Sequence, residues 1–336
     1  MALTISGSTA VTTQPTFDVN ASTPAQADLL LTQYSGEVFG TFNRTTVLRP
    51  YIRVKTIKNG VSYQFPFIGG VTSDYHQPGE EIQGQTVASA AKIITVDDTI
   101  FTAVNISDFE EAIKHFDTRS EYTRQMGDEL AQRYDRKGFA MLTKAALNEE
   151  AGAIAGEYGP ATKAALPTGI VSADSAGFAA AFEAECYEAQ RHFDETNIPA
   201  NDRVIFVTPA VYYKLIQSGN FLNSDFGNAG NGSQADARIM KVAGLPIIVT
   251  NNLALNFAEA VERRGAVTTN FNVDARTVAA LVMQRTAAAA VELMGVKTEQ
   301  SYRHEFFAHL VTSRMANGMG VLRPECLRAI TFGAAS

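Results

Sequence analysis

The 336 residues predict an α+β chain with projecting segments, and three observations carry that prediction. Strand-like alternation appears on both sides of a long helical pattern, in Tyr51–Ser107 and again in Tyr302–Phe332. Between the two early strand regions, Gly69–Ala90 forms a Gly- and Pro-bearing loop far longer than a compact domain ordinarily tolerates. Between the helix and the final strands lies a smaller unit that alternates helices with short apolar strands.

Taken in order, residues 1–24 are rich in Ser and Thr and carry one charge, Asp18, so they bury little and read as a mobile arm. Leu29, Leu30, Val38 and Phe42 set a helical pattern over Gln26–Thr46, closed by Arg49-Pro50. Tyr51–Ile57 and Val61–Phe67 flank Asn59-Gly60, a dipeptide suited to a type I′ turn, and the expectation is a hairpin. Ile94, Val96, Ile100, Val104 and Ile106 fall at even spacing, which predicts one half-buried strand over Lys92–Ser107, bent at Asp97-Asp98. Asp108 caps a helix over Asp108–Glu150 whose apolar stripe is Phe109, Ile113, Phe116, Leu130, Tyr134, Met141 and Ala145, with Gly127 and Gly138 as points of bending. Unbroken, it would reach roughly 60 Å.

Ala151–Ser172 reads as a linker rich in Gly, Ala and Pro. Asp174 then caps a helix with the stripe Phe178, Phe182, Cys186, Ala189 and Phe193. Arg203–Val207 is a buried strand, Ala210–Gln217 a helix after Thr208-Pro209, and Asn220–Gln234 a Gly/Asn/Ser loop. Ala235–Val242 reads as helix, and Leu245–Val249 and Val278–Met283 as strands.

Composition narrows function before any motif does. Lys and Arg total 28 against 35 Asp and Glu, a net charge of −7, which argues against a dedicated nucleic-acid clamp. Two cysteines, Cys186 and Cys326, form no disulfide framework or metal pattern. No apolar run approaches the ~20 residues of a membrane span, and the Lys- and Arg-free N-terminus is no signal peptide. His304 and His309 lack the spacing and companions of a metal pair. The Gly227–Gly232 run lacks the Lys-Ser/Thr of a phosphate loop, and no Gly-x-Ser-x-Gly elbow occurs. The adjacent acids Glu80-Glu81, Asp97-Asp98 and Glu149-Glu150 suit solvated faces better than an acid/base dyad. The expectation is no catalysis and no cofactor. An arm and a long loop serve a chain that grips its neighbours.

In order and spacing, several stretches resemble one family. They are Gln64-Phe65-Pro66, Pro78-Gly79-Glu80, Ile94-Thr95-Val96-Asp97-Asp98, the run Asp117 to Thr123, Asp202-Arg203-Val204, and the run Gly318 to Glu325 that includes Arg323. From about Ala25 to Phe332 the chain resembles the major capsid proteins of short-tailed, T-seven-like bacteriophages, which adopt the HK-97-like capsid fold. The resemblance implies an N-terminal arm (1–50), an extended loop with adjoining strands (51–107), a peripheral domain with a long spine helix (108–173 and 298–336) and an axial domain (174–297). It further implies pentamers and hexamers of an icosahedral head shell around double-stranded DNA. A scaffolding protein, a portal protein and a cement or decoration protein would be its partners, and the virion, assembled in the bacterial host cytoplasm, its place.

Asn59–Ala91 contains no Lys, so the Lys–Asn cross-link of some shells of this fold is not expected. The candidate assembly residues are Asn59 and Gly60, the loop acids Asp74, Glu80 and Glu81, the helix cations Arg119, Arg124, Arg133 and Arg136, and Arg323 with Glu325. The acids would meet a neighbour's arginines in pairs worth about 0.2–1 kcal/mol each. Two alternatives are an encapsulin-like nanocompartment shell and a soluble two-domain enzyme with Asn220–Gln234 as lid.

Overall fold

The computed structural model describes residues 38, 41, 42 and 45–334, apart from 78, 80, 83, 98, 114–118, 155–157, 219–231, 234–237, 240, 258–259, 264–265 and 271. The arm at 1–24 and nearly all of the loop expected at Asn220–Gln234 lie outside the described residues, as does most of the helix expected at Gln26–Thr46. Val38, Thr41, Phe42 and Thr45 are helical.

Strands β1 (Arg53–Thr56), β2 (Ser62–Ile68), β3 (Ser89–Thr95) and β4 (Ile100–Ser107) precede a short helix, Asp108–Ile113, and a long one, Arg119–Leu147. Then come β5 (Thr162–Ala165), a helix Phe178–Glu195, β6 (Arg203–Val207) and a helix Pro209–Ser218. Short strands follow: β7 (Gly232–Ser233), β8 (Arg238–Ile239), β9 (Lys241–Val242), β10 (Leu245–Val249), β11 (Asn256–Phe257), β12 (Ala260–Arg263), β13 (Ala266–Asn270) and β14 (Val273–Asp274). The chain closes with β15 (Val278–Gln284), β16 (Ala288–Arg303), β17 (Ala308–Val321) and β18 (Leu327–Thr331).

Two sheets organise these elements. In the first, β16 and β17 make a long antiparallel ribbon flanked by β1 and β4, in the order β1-β16-β17-β4. In the second the order is β5-β18-β15-β6-β10-β9. Its centre reads Arg-Val-Ile-Phe-Val in β6 and Val-Ala-Ala-Leu-Val-Met-Gln in β15, both buried along their whole length, as continuous apolar runs require. The fully buried Ala287–Ala290 carries the chain from the second sheet into the first. The long helix packs on β17, β4 and β18, and its Phe139 meets Phe206 of β6 edge to face at 5.1 Å. The helix Phe178–Glu195 buries the five residues of its predicted stripe.

Several expectations are corrected. Asn59-Gly60 does not close a hairpin between its flanking strands. Gly60 turns the chain at φ +102°, but β1 runs parallel to β16 while β2 pairs with β3. The strand expected over Lys92–Ser107 is two strands in different sheets, divided where Asp97 turns inward to meet Lys137. Phe109 and Ile113 are exposed, not part of a buried stripe. Gly127 and Gly138 also admit the N-terminal segment: a Cβ would stand 2.8 Å from Thr41 Cβ at the first and 2.2 Å from Leu48 Cδ2 at the second. The helix after Asp174 begins behind Gly177 with no side-chain cap, and Asp174 instead accepts a bond from Lys214 at 3.1 Å. Within Ala235–Val242, Arg238–Ile239 and Lys241–Val242 are strands, not helix. Leu327–Thr331, grouped by the resemblance with the long helix, joins the second sheet beside β15.

Candidate assembly surface

The extended element is β2 with β3, paired antiparallel from Ser62↔Thr95 to Ile68↔Ser89. Beyond the ladder the two limbs stay together. Gly69 N–H donates to Ala88 O at 2.8 Å, and the Gln85 amide bridges Thr72, accepting from its N–H at 3.0 Å and donating to its carbonyl at 2.5 Å. This side-chain clamp imitates one more rung of the sheet. The loop it supports holds Val71, Tyr75 and Ile82 in solvent, Tyr75 fully exposed, with Ile68 exposed on the neighbouring limb. Asp74 and Glu81 are exposed among them. Glu80 lies outside the described residues.

At its base the hairpin is seated on β17. Gly318 and Gly320 leave room for the stem: a Cβ on Gly318 would be 2.0 Å from Thr95 O, and one on Gly320 2.8 Å from Ile94 Cγ1. Just past β3, Asp97 Oδ2 meets Lys137 Nζ at 2.6 Å, both side chains 3% exposed. The same ammonium donates to Asn317 O and Oδ1, each at 2.9 Å. A buried pair needs such completed bonding to offset its desolvation.

The helix cations have separate fates. Arg119 opens the long helix. Arg124 forks onto Glu121 at 3.0 and 2.6 Å, which holds the exposed Glu121 carboxyl below its ordinary range. Arg133 is exposed, and Arg136 is half-buried, donating to Asn252 Oδ1 at 3.4 Å and Gln132 Oε1 at 3.2 Å. The loop acids and these arginines therefore stand on different elements. Asn59 and Gly60 are exposed at the turn into β2. Arg323 and Glu325 face inward: the guanidinium lies 5.0 Å from the Tyr158 ring centre and Glu325 Oε2 accepts from Gly159 N–H at 2.9 Å.

A second apolar surface escapes the sequence reading. Phe306 and Phe307 at the turn between β16 and β17 are exposed, as are Phe109 and Ile113 on the short helix. Asp108 N–H donates to Phe307 O at 3.1 Å and Tyr302 Oη donates to Asp108 Oδ2 at 2.8 Å, which ties the turn to that helix. The available signal was Phe306-Phe307 itself: adjacent aromatics in a tight turn cannot both turn inward.

Among the described residues no group of His, Cys, Asp and Glu is placed to hold a metal ion, and no helix is long and apolar enough to cross a membrane. Both cysteines are buried, and burial pushes both thiols up.

This combination of a seated hairpin, a long helix and two sheets has known counterparts. The chain is 28% identical over 321 residues to the major capsid protein of Escherichia phage T7, covering 90% of this chain and 92% of that one. It is 29% identical to the capsid chain of Cyanophage P-SCSP1u, with a TM-score of 0.74 over 86% of this chain and 89% of that one. The mature capsid of bacteriophage PhiM1, at 18% identity, shares the fold with a TM-score of 0.69 over 85% and 87% of the two chains. Residues 64–331 match the family described as Gp10A-like, major capsid protein. The chain therefore has the HK-97-like capsid fold and belongs to the Gp10A-like family of phage major capsid proteins.

Proposed function

We propose that this capsid subunit assembles as pentamers and hexamers into an icosahedral head, with the hairpin loop of each copy lying over a neighbour. The observation that carries the reading is the loop itself. A two-stranded ribbon projects Val71, Tyr75 and Ile82 into solvent, and a covered side chain of that size contributes about 1.5–3 kcal/mol. Asp74, Glu80 and Glu81 would add pairs to a neighbour's Arg119, Arg124, Arg133 or Arg136, each worth only about 0.2–1 kcal/mol. Apolar cover then supplies the strength and the charges the register. Phe306, Phe307, Phe109 and Ile113 offer a second contact at the far end of the ribbon of β16 and β17.

In this reading residues 1–50 form the arm, 51–107 the extended loop with its strands, 108–173 with 298–336 the peripheral domain, and 174–297 the axial domain, to whose sheet β5 and β18 cross over. The role is structural rather than catalytic. A scaffolding protein would guide assembly in the host cytoplasm, a portal would occupy one vertex, and a cement protein would substitute for a covalent lock. The net charge of −7 suits a wall that confines double-stranded DNA without gripping it. A nanocompartment role is not favoured, since the curated relatives are phage capsid proteins.

The test is sedimentation velocity and negative-stain microscopy of the chain expressed with its scaffold, wild type beside a Val71→Ser, Tyr75→Ser, Ile82→Ser triple variant. Wild type should form closed particles and the variant should remain as free subunits or capsomers. Closed particles of normal size from the variant would overturn the loop's role.

A further inference from the structure

We propose that the hairpin is a lever held at two separable places: a buried pivot at its base and a releasable clasp midway along it, made by Glu150, Ala153, Ile154 and Tyr158. The consequence for the shell rests on the gripping role proposed above; the device itself is a property of the single chain.

The two fastenings differ in kind. The pivot has no slack. Glycines at 318 and 320 bring Ile94–Val96 into direct contact with β17, and the Asp97–Lys137 pair is sealed from water at 2.6 Å. Asp97 N–H also donates to Asn317 O at 3.2 Å, and Val96 N–H to Val61 O at 2.7 Å. Opening it would strand buried charge.

The clasp is built from solvent-reachable, individually weak contacts. Tyr158 Oη donates to Ile68 O at 3.0 Å, at the outer end of β2, and its ring meets Phe67 edge to face at 5.7 Å. Lys92 Nζ pairs with Glu150 Oε1 at 2.9 Å, the two side chains 41% and 37% exposed. Ala153, Ile154 and Tyr158 pack at the edge of an apolar cluster in which Phe67, Ile94 and Val96 meet Ala289, Val291 and Ala316 of the first sheet, distinct from the main core. Its two polar contacts can therefore open without disturbing the packing of the second sheet, whose side chains belong to the main core.

This assignment also gives Arg323 and Glu325 a task. One guanidinium stacks on Tyr158 and one carboxylate receives Gly159 N–H, so both hold the clasp segment in place. They are positioning residues for the hairpin, acting within the subunit. Gly152 admits Tyr158 at close range: a Cβ there would fall 2.3 Å from Tyr158 O.

Paired spin labels on the unassembled full chain test the device, one at Ser73→Cys in the loop and one at Glu129→Cys on the exposed face of the long helix. Cys186 and Cys326 are buried and stay unlabelled. The labelled chain should give one narrow distance. Adding Tyr158→Phe with Lys92→Ala should abolish that narrow distance in favour of a broad one, while amides of the β2–β3 ladder keep their protection from hydrogen exchange. Tyr158→Phe alone, which removes a single oxygen, should speed exchange around Tyr158 and Gly159 roughly five- to tenfold. An unchanged distance distribution in the double variant, or unchanged exchange in the single one, overturns the clasp. A broadened distance with shells of normal size and yield would leave the clasp standing and instead remove the loop's gripping role.

Discussion

Gly318→Ala probes the seat of the hairpin with one added methyl group. The new Cβ would stand 2.0 Å from Thr95 O, 2.8 Å from Thr95 C and 2.9 Å from Val96 Cα. All three are backbone atoms, so no rotamer change relieves the overlap, and the stem must withdraw by more than an ångström to reach ordinary contact. Withdrawal stretches the 3.2 Å bond from Asp97 N–H to Asn317 O and draws Asp97 away from Lys137. Overpacking of this kind costs about 1–3 kcal/mol, and a weakened buried hydrogen bond adds about 1 kcal/mol. Against this, Gly318 is not in the left-handed region, so alanine is conformationally admissible and recovers about 0.4–1 kcal/mol through the unfolded chain. The balance is a loss of about 1–4 kcal/mol, read as a lowered urea midpoint of the isolated subunit with an unchanged slope. Gly295→Ala is the matched control: nothing lies within 4 Å of its added carbon and its φ is ordinary, so it should be neutral or slightly stabilising. A Gly318→Ala midpoint equal to that of Gly295→Ala would refute the close seating of the stem.

Two further perturbations address buried charge. Lys137→Met removes the cation facing Asp97 and should destabilise the subunit by about 3–5 kcal/mol, with Asp97→Asn in the same chain recovering part of the loss in the same urea assay. Asp135 accepts Val47 N–H at 2.8 Å and Leu48 N–H at 3.2 Å, yet burial outweighs those bonds and pushes its carboxyl up to about 6. A carboxyl raised on folding binds more protons in the native state between its unfolded and folded values. Stability from this group is therefore greatest below about pH 4 and falls by on the order of 2–3 kcal/mol as pH rises to about 6. Asp135→Asn carries a constant penalty for one unpaired amide, so the difference between the wild-type and variant urea midpoints should slope across pH 4–6 and be flat above. A flat difference throughout would show that the carboxyl titrates normally.

The periodic elements were legible in the sequence because they answer to local pattern. The stripe Phe178, Phe182, Cys186, Ala189 and Phe193 and the apolar strands β6 and β15 are buried as their spacing demands. Pairing was less legible. Asn59-Gly60 announces a permitted turn but says nothing of partners, and β1 finds its partner in β16, remote in the chain. Periodicity likewise gives an apolar face without naming what covers it, which is why Phe109 and Ile113 read as core and stand in solvent. The exposed acids of the loop were visible as acids in a loop. Its mounting was not: Lys137 looks like any helix cation until folding sets it against Asp97 and Asn317. Arg323 and Glu325 could be singled out by resemblance, while their inward direction needed Tyr158 and Gly159 beside them.

The distribution of strong and weak contacts bears on how such a subunit can build a shell of fixed size. An isolated two-stranded ribbon is marginal in water, so the direction of β2 and β3 cannot come from the ribbon itself. It comes from the seat on β17, where glycine clearance and a sealed ion pair fix the stem, together with the contacts from Glu150 and Tyr158 farther out. The surfaces offered outward are the opposite: single apolar side chains, and charges whose pairing is screened by salt. Contacts of that strength break and re-form, and misplaced copies can leave a growing edge. Accuracy of curvature must then reside inside the subunit, in the angle at which the hairpin is held. It follows that substitutions at the seat and those at the loop tip fail differently. A weakened tip leaves free subunits or capsomers in place of shells, whereas a loosened seat leaves assembly intact and broadens the range of particle sizes.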